Sequence, residues 1–404
     1  MGSVLIALFA VATAVALVAR RLRIPYTVGL VVAGLVLGSS SLIHPPRLTK
    51  ELLFSVFLPG LVFEAAFHLE FGRFRRNKLA ISALALPGVA AAILLTGVLF
   101  TPIARFFHFA GDFRLVHGLA FGALISATDP IAVVALFKTL GVPARLGVLI
   151  EGESLLNDGT AVVFFSLVLG IATGNGVTVG GATWQFVEVV GIGALVGGAV
   201  GFGASRLIHR IDDAMIEITI TTVAAYGSFA LGEGLRGSGV IATVVAGMLC
   251  GNYAAPSGMS PGTRVAAEAF WEYAAFALNS VVFLLIGFEV RLSQLLDSWR
   301  PIVAAYLTVT VGRALVIAAV GLLLRPTRER LASSWGVVLV WGGLRGGLSM
   351  VLALALPPDF IHRDLLITMT FGVVVLSILL QGLTMSTLLR RLGIGGGAAG
   401  VSSP

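Results

Sequence analysis

The chain has 404 residues, 57% of them hydrophobic and 12% charged, with a formal charge of +7. Soluble domains carry about 25% charged residues, so this composition, with a mean hydropathy of +1.00, excludes a water-soluble fold and describes a polytopic membrane protein. The single cysteine, Cys250, rules out an intrachain disulfide or a cysteine cluster, and the six histidines form no HExxH pattern that would point to zinc.

Thirteen apolar spans are predicted, at about 3–19, 25–40, 51–69, 79–102, 113–137, 145–171, 184–208, 214–233, 239–252, 268–290, 301–324, 332–356 and 364–389. Most reach the ~20 residues needed to cross a hydrocarbon core; the ninth is short. Brief loops and about a dozen residues after the last span predict one membrane transport domain over 1–404, with no soluble tail domain.

The first span is not a cleavable signal, because Arg20, Arg21 and Arg23 follow its apolar core instead of preceding it. Alternate loops divide the basic residues unequally. Seventeen lie on the side of Arg20, Arg73–Lys78, Lys138, Arg206, Arg325 and Arg390; eight lie on the side of Arg47, Lys50, Arg105, Arg114, Arg236, Arg291, Arg300 and Arg363. The positive-inside rule makes the first side cytoplasmic. The N-terminus is therefore expected outside and the C-terminus inside. The basic excess is an orientation signal, and no nucleic-acid partner is expected; Arg20, Arg21 and Arg23, and Arg73 to Lys78, serve either that orientation alone or also the attraction of anionic lipid headgroups.

In chain order, the third span buries Glu64 in an apolar run, as an ion ligand or as a cap for a neighbouring backbone. The fifth carries Ser126-Ala127-Thr128-Asp129-Pro130. Pro130 lacks an N–H and crowds the carbonyl of Ser126, so a break is expected with Thr128 and Asp129 at its edge.

The sixth span holds Glu151-Gly152-Glu153-Ser154-Leu155-Leu156-Asn157-Asp158. Ser154 and Asp158 share a helical face and Glu153 and Asn157 form a second stripe. Glu151 returns to the Asp158 face further along the axis and is an ion-funnel candidate. Acids at bilayer depth are costly and mark function; a hydroxyl and a carboxylate facing inward together suit a proton or a hard monovalent cation. The seventh span spaces Gly193, Gly197 and Gly201 four apart, for contact within the chain or with a second copy. The twelfth places Arg345 among Gly342, Gly343, Gly346 and Gly347, where the helix is weak.

Interruptions in the fifth and twelfth spans fall on the fifth helix of each half, if 1–171 and 214–390 are repeats joined by the linker helix 184–208. That is the pattern of an inverted-repeat transporter with crossed broken helices. Arg313 and Arg345 lie within spans and need acidic partners. Glu153 is expected to pair with one of them. Asp129 would take the other or cap a half-helix N-terminus. Glu64 and Asp158 are left without a fixed cation.

The segments "LPGLVFEAAF" (58–67), "SATDPIAVVALFKTLGVPARL" (126–146), "EGESLLNDGTAVVFF" (151–165) and "WGGLRGGLS" (341–349) resemble the NhaP- and NHE-type sodium–proton antiporters. The resemblance implies an all-α, NhaA-like antiporter fold of thirteen helices in a homodimer, with dimerisation helices and an elevator-like core within about 51–171 and 268–390. It implies Na+ held at Asp158, Glu64, Ser154 and Thr128, with Asp129 in the same cluster and Glu153 as the structural ion-pair acid. The Asn157–Asp158 order resembles electroneutral, one-for-one exchangers. Gly60 departs from the family's usual second proline.

The expected activity is sodium (or lithium) exchange for protons in a bacterial inner membrane, with cation and proton competing for Asp158 and no cofactor beyond the transported ions. Asn157 would steady the site by hydrogen bonds without adding charge. A potassium–proton antiporter of the same fold is the alternative. A cation channel would need a continuous lined path, and an intramembrane protease would need Asp129 and Asp158 to share a proton.

Overall fold

The computed structural model describes residues 2–22, 24–39, 49–172, 179–289 and 292–395. Arg23, Arg47 and Arg291 of the charge count lie outside the described residues, as do the span ends drawn at 40 and 290. The described residues are helical throughout, without a strand. The principal helices are α1 (Gly2–Leu22), α2 (Tyr26–Ser39), α3 (Leu53–His68), α4 (Lys78–Phe106), α5 (Leu115–Leu124), α6 (Ile131–Leu140), α7 (Ala144–Ala172) and α8 (Val179–Ile208). They continue with α9 (Ala214–Gly234), α10 (Gly239–Ser257), α11 (Pro261–Glu289), α12 (Trp299–Leu323), α13 (Ser333–Trp341), α14 (Gly347–Leu354) and α15 (Arg363–Arg391).

Eight of these helices, among the described residues, are long and apolar enough to cross a membrane. In hydrocarbon every backbone N–H and C=O must be bonded internally, which is why apolar runs of this length become helices. Two of the starts carry polar side-chain caps. Asp213 accepts the N–H groups of Met215 and Ile216 at 2.9 and 3.0 Å to begin α9, and Ser238 accepts that of Ile241 at 3.2 Å in α10.

Three boundaries differ from expectation by five residues or more. Helix α8 begins at Val179 instead of 184. The ninth span begins where drawn but runs on to Ser257 through a π-turn at Cys250–Ala254. The tenth begins at Pro261, seven residues early, because Arg264 and Glu268 pair along one exposed face at 2.8 Å and lower the local hydropathy without breaking the helix. Further π-turns interrupt α3 at Leu53–Phe57, α4 at Leu84–Gly88 around Pro87, and α15 at Ser377–Gly382.

Helix α8 packs on α10 through the glycines spaced four apart. A Cβ on Gly193 would stand 2.6 Å from the Ser238 carbonyl oxygen, one on Gly201 would stand 2.9 Å from Ala246 Cα, and one on Gly197 would overlap the Ala242 carbonyl. The stripe is therefore consumed inside the chain, which decides between the two uses the spacing allowed. Gly197→Leu is expected to lower the unfolding temperature of the detergent-purified protein by about 5 °C or more, since overpacking a close contact is destabilising. Gly198→Leu, facing open space on the same helix, is the control and should leave it unchanged.

Candidate ion-binding site

Helix α5 stops at Leu124 and α6 resumes at Ile131, after an unwound stretch ending in Pro130. Helix α13 stops at Trp341 and α14 resumes at Gly347. The two breaks meet: the Asp129 N–H donates to the Leu344 carbonyl at 2.8 Å. Glycine is required at 346, because a Cβ there would overlap the Asp129 side chain. The Arg345 guanidinium donates to the carbonyls of Ser126 (2.9 Å) and Ala127 (3.3 Å), and the Arg345 backbone N–H donates to the Ser377 hydroxyl at 3.1 Å. Carbonyls freed by the first break are thus bound by a cation from the second.

Helix α7 crosses beside this junction. The Ser154 hydroxyl donates to the Thr128 carbonyl, and the Thr128 hydroxyl donates back to Ser154 Oγ at 3.3 Å. Asn157 Nδ2 donates to the Ser126 carbonyl (3.0 Å) and to Thr128 Oγ1 (3.2 Å), while its Oδ1 is buried without a partner. One turn below Asn157's contacts, Thr160 donates to the Ala85 carbonyl at 2.8 Å, in the π-turn of α4. Ser154 and Asp158 share the expected face. Asp158 is half-buried and, among the described residues, makes no hydrogen bond or ion pair; the charged groups acting on it are Asp129 and Glu153.

The paired charges are now assigned. Glu153 binds Arg313 in a bidentate pair, at 3.1 Å from Nη1 to Oε1 and 3.0 Å from Nη2 to Oε2, with Arg313 Nε on the Leu339 carbonyl at 3.0 Å. Two parallel N–H···O bonds make this the strong form of the interaction. Arg345 has no carboxylate in contact. Asp129 takes the second of its two expected roles, accepting the Ile131 N–H at 3.1 Å at the start of α6, where the helix dipole favours an anion.

Glu64 has a titratable neighbour on its own helix: His68, one turn on, approaches its Oε1 at 3.2 Å and also bonds its carbonyl at 3.0 Å, and supplies a counter-charge only when protonated. Among the described residues nothing joins Glu64 to Asp158, Ser154 or Thr128. It gathers instead with Glu151, whose charged neighbours are Lys138, Glu64, His68 and Glu70. The i, i+4 spacing of Glu64 and His68 was the available signal for this pair. The carbonyls of Ser126 and Ala127, the Thr160 bond and Thr27 escape a search for charged side chains.

The model of the family described as "Sodium/hydrogen exchanger, transmembrane" matches residues 4–391. The chain belongs to that family. This exchanger is 40% identical over 379 residues to the Na(+)/H(+) antiporter ApNhaP of Aphanothece halophytica, covering 93% of this chain and 71% of that protein. It is 38% identical over 401 residues to the Na(+)/H(+) antiporter NhaP of Pseudomonas aeruginosa, covering 93% of each. Its fold is also that of the sodium proton antiporter MjNhaP1 from Methanocaldococcus jannaschii, with a TM-score of 0.79 over 97% of this chain and 98% of that one, at 19% identity. Family and fold together describe a multi-pass membrane transporter.

Proposed function

We propose that this exchanger swaps Na+ or Li+ for H+, one for one, across a bacterial plasma membrane, with the two substrates competing for Asp158. The names of its relatives support the substrates. The observation that carries the site is the contrast between two neighbouring acids: Glu153 is neutralised by Arg313, and Asp158 has no fixed counter-charge. Ser154, on the same helical face as Asp158, and the adjoining break supply oxygens of the kind a hard cation takes: the hydroxyls of Ser154 and Thr128, the Thr128 carbonyl and the unpartnered Asn157 Oδ1. Asp129 completes the acidic edge. Glu64 and Glu151, with His68 and Lys138, form an outer acidic group on the approach to the site.

Competition for one carboxylate couples the fluxes. A crossing with Asp158 bare would carry an uncompensated charge through a low-dielectric interior, which costs several kcal/mol and suppresses leak. In this reading the interrupted pairs α5/α6 and α13/α14 each count as one crossing, giving thirteen, with the N-terminus outside. The inverted repeats are 1–171 and 214–390, as in NhaA-like folds. The core within about 51–171 and 268–390 slides as an elevator within a homodimer, and lipid surrounds both.

The test is exchange in proteoliposomes against an alkali-cation panel over a pH series. Sodium and lithium gradients are expected to drive saturable proton flux in the opposite direction. The rate should not respond to membrane potential clamped at different values. A response to potassium alone would reassign the substrate, and non-saturating flux would overturn the antiport mechanism in favour of a channel.

A further inference from the structure

Arg345 is a buried cation whose guanidinium, among the described residues, rests only on the backbone carbonyls of Ser126 and Ala127. Beside it lies a cavity of about 10 Å³, the space of a single water. Thr27, Asp129, Phe283, Leu344 and Arg345 line it. Thr27 is 4% exposed and its hydroxyl is buried without a hydrogen-bond partner. Standing second in α2, it has no preceding helical turn to bond back to. Thr27 is held firmly in place, because its neighbour Tyr26 bonds Ser280 of α11 at 2.7 Å and stacks on Phe276 with ring centroids 5.1 Å apart. Three residues with polar side chains therefore line one water-sized space: Thr27 from α2, and Asp129 and Arg345 from the two breaks.

We infer that one water bridges Thr27 Oγ1, the Asp129 carboxylate and the Arg345 guanidinium, and that Thr27 is thereby a positioning residue for Asp129. The water accepts a hydrogen bond from Arg345 and donates to Asp129 and to Thr27, which satisfies the orphaned hydroxyl and links the arginine to an acid. Water-mediated bonds of this kind are nearly as favourable as direct ones. The bridge ties α2 to the two breaks, so it favours the described arrangement and holds Asp129 back from a cation's oxygen shell. This inference rests on the exchange reading above.

The experiment measures the sodium dependence of proton flux by the full chain in proteoliposomes for wild type, Thr27→Val and Thr27→Ser. Thr27→Val, which keeps the shape and removes the hydroxyl, is expected to lower the sodium KM about fivefold, the size of one hydrogen bond's bias between two states. Its kcat should change less than twofold and its unfolding temperature should stay put. Thr27→Ser should match wild type. An unchanged KM in Thr27→Val, or Thr27→Ser behaving like Thr27→Val, would overturn the bridge. Should Thr27→Val fail to fold, a wild-type structure showing ordered solvent decides: a water within hydrogen-bond distance of all three groups supports the bridge, and its absence refutes it. A wild type without sodium-driven flux would sink the exchange reading, while the solvent structure would still judge the bridge.

Discussion

Asp158→Asn is expected to abolish sodium-dependent proton flux, by roughly 100-fold or more, in a protein that folds and purifies like its parent. Asparagine matches the carboxylate in shape, and among the described residues Asp158 makes no bond that the fold would miss. Asparagine binds neither a proton in this pH range nor a cation with useful strength. Both half-cycles lose their ligand, and each 1.4 kcal/mol lost is tenfold in rate. The loss should appear at every pH tested, because substrate concentration cannot restore a missing charge. Persistent exchange in vesicles carrying Asp158→Asn would refute the shared-carboxylate mechanism. A collapse of folding with Asp158→Asn would place the residue in the architecture instead.

The second large effect is on stability. Glu153→Gln is expected to destabilise the protein by about 3–5 kcal/mol, the cost of removing one partner from a buried ion pair. Glu153 and Arg313 have side-chain exposures of 4% and 13%. Arg345 lies close by, so losing Glu153 would leave two buried guanidinium groups with no acid between them. The measurement is thermal unfolding in detergent, with Glu153→Leu/Arg313→Met as the companion. Replacing both charges by apolar groups of similar size should recover much of the loss. A Glu153→Gln protein as stable as the parent would mean that the pair does not hold α7 to α12.

Much of this architecture was legible in the chain, for physical reasons. Lipid forces apolar runs to be helices, and Pro130 and the glycines around Arg345 cannot sustain them, so both interruptions stood out. The helical repeat placed Ser154 and Asp158 on one face. What stayed open depended on which helices touch. Glu153 could not be assigned between Arg313 and Arg345 because the choice turns on α12 lying against α7, which no local pattern encodes. The early start of α11 was hidden because Glu268, Glu272 and Arg264 look like a loop to a hydropathy average. Glu64 was judged by its apolar surroundings, and the histidine one turn away was not counted as its partner. The Ser126, Ala127 and Thr128 oxygens at the junction are backbone carbonyls, and every residue has one, so composition gives them no weight.

The π-turn at Leu84–Gly88 in α4 has a consequence for how relatives of this chain are compared. One extra residue in a single turn rotates everything beyond it by about 100°, so the faces of α4 before and after the turn are indexed differently. The Ala85 carbonyl within this turn is the one that Thr160 bonds. A homologue one residue shorter in this stretch would have a straight helix with its second half turned away from α7. Aligned relatives should therefore keep or lose that residue together with the hydroxyl at position 160.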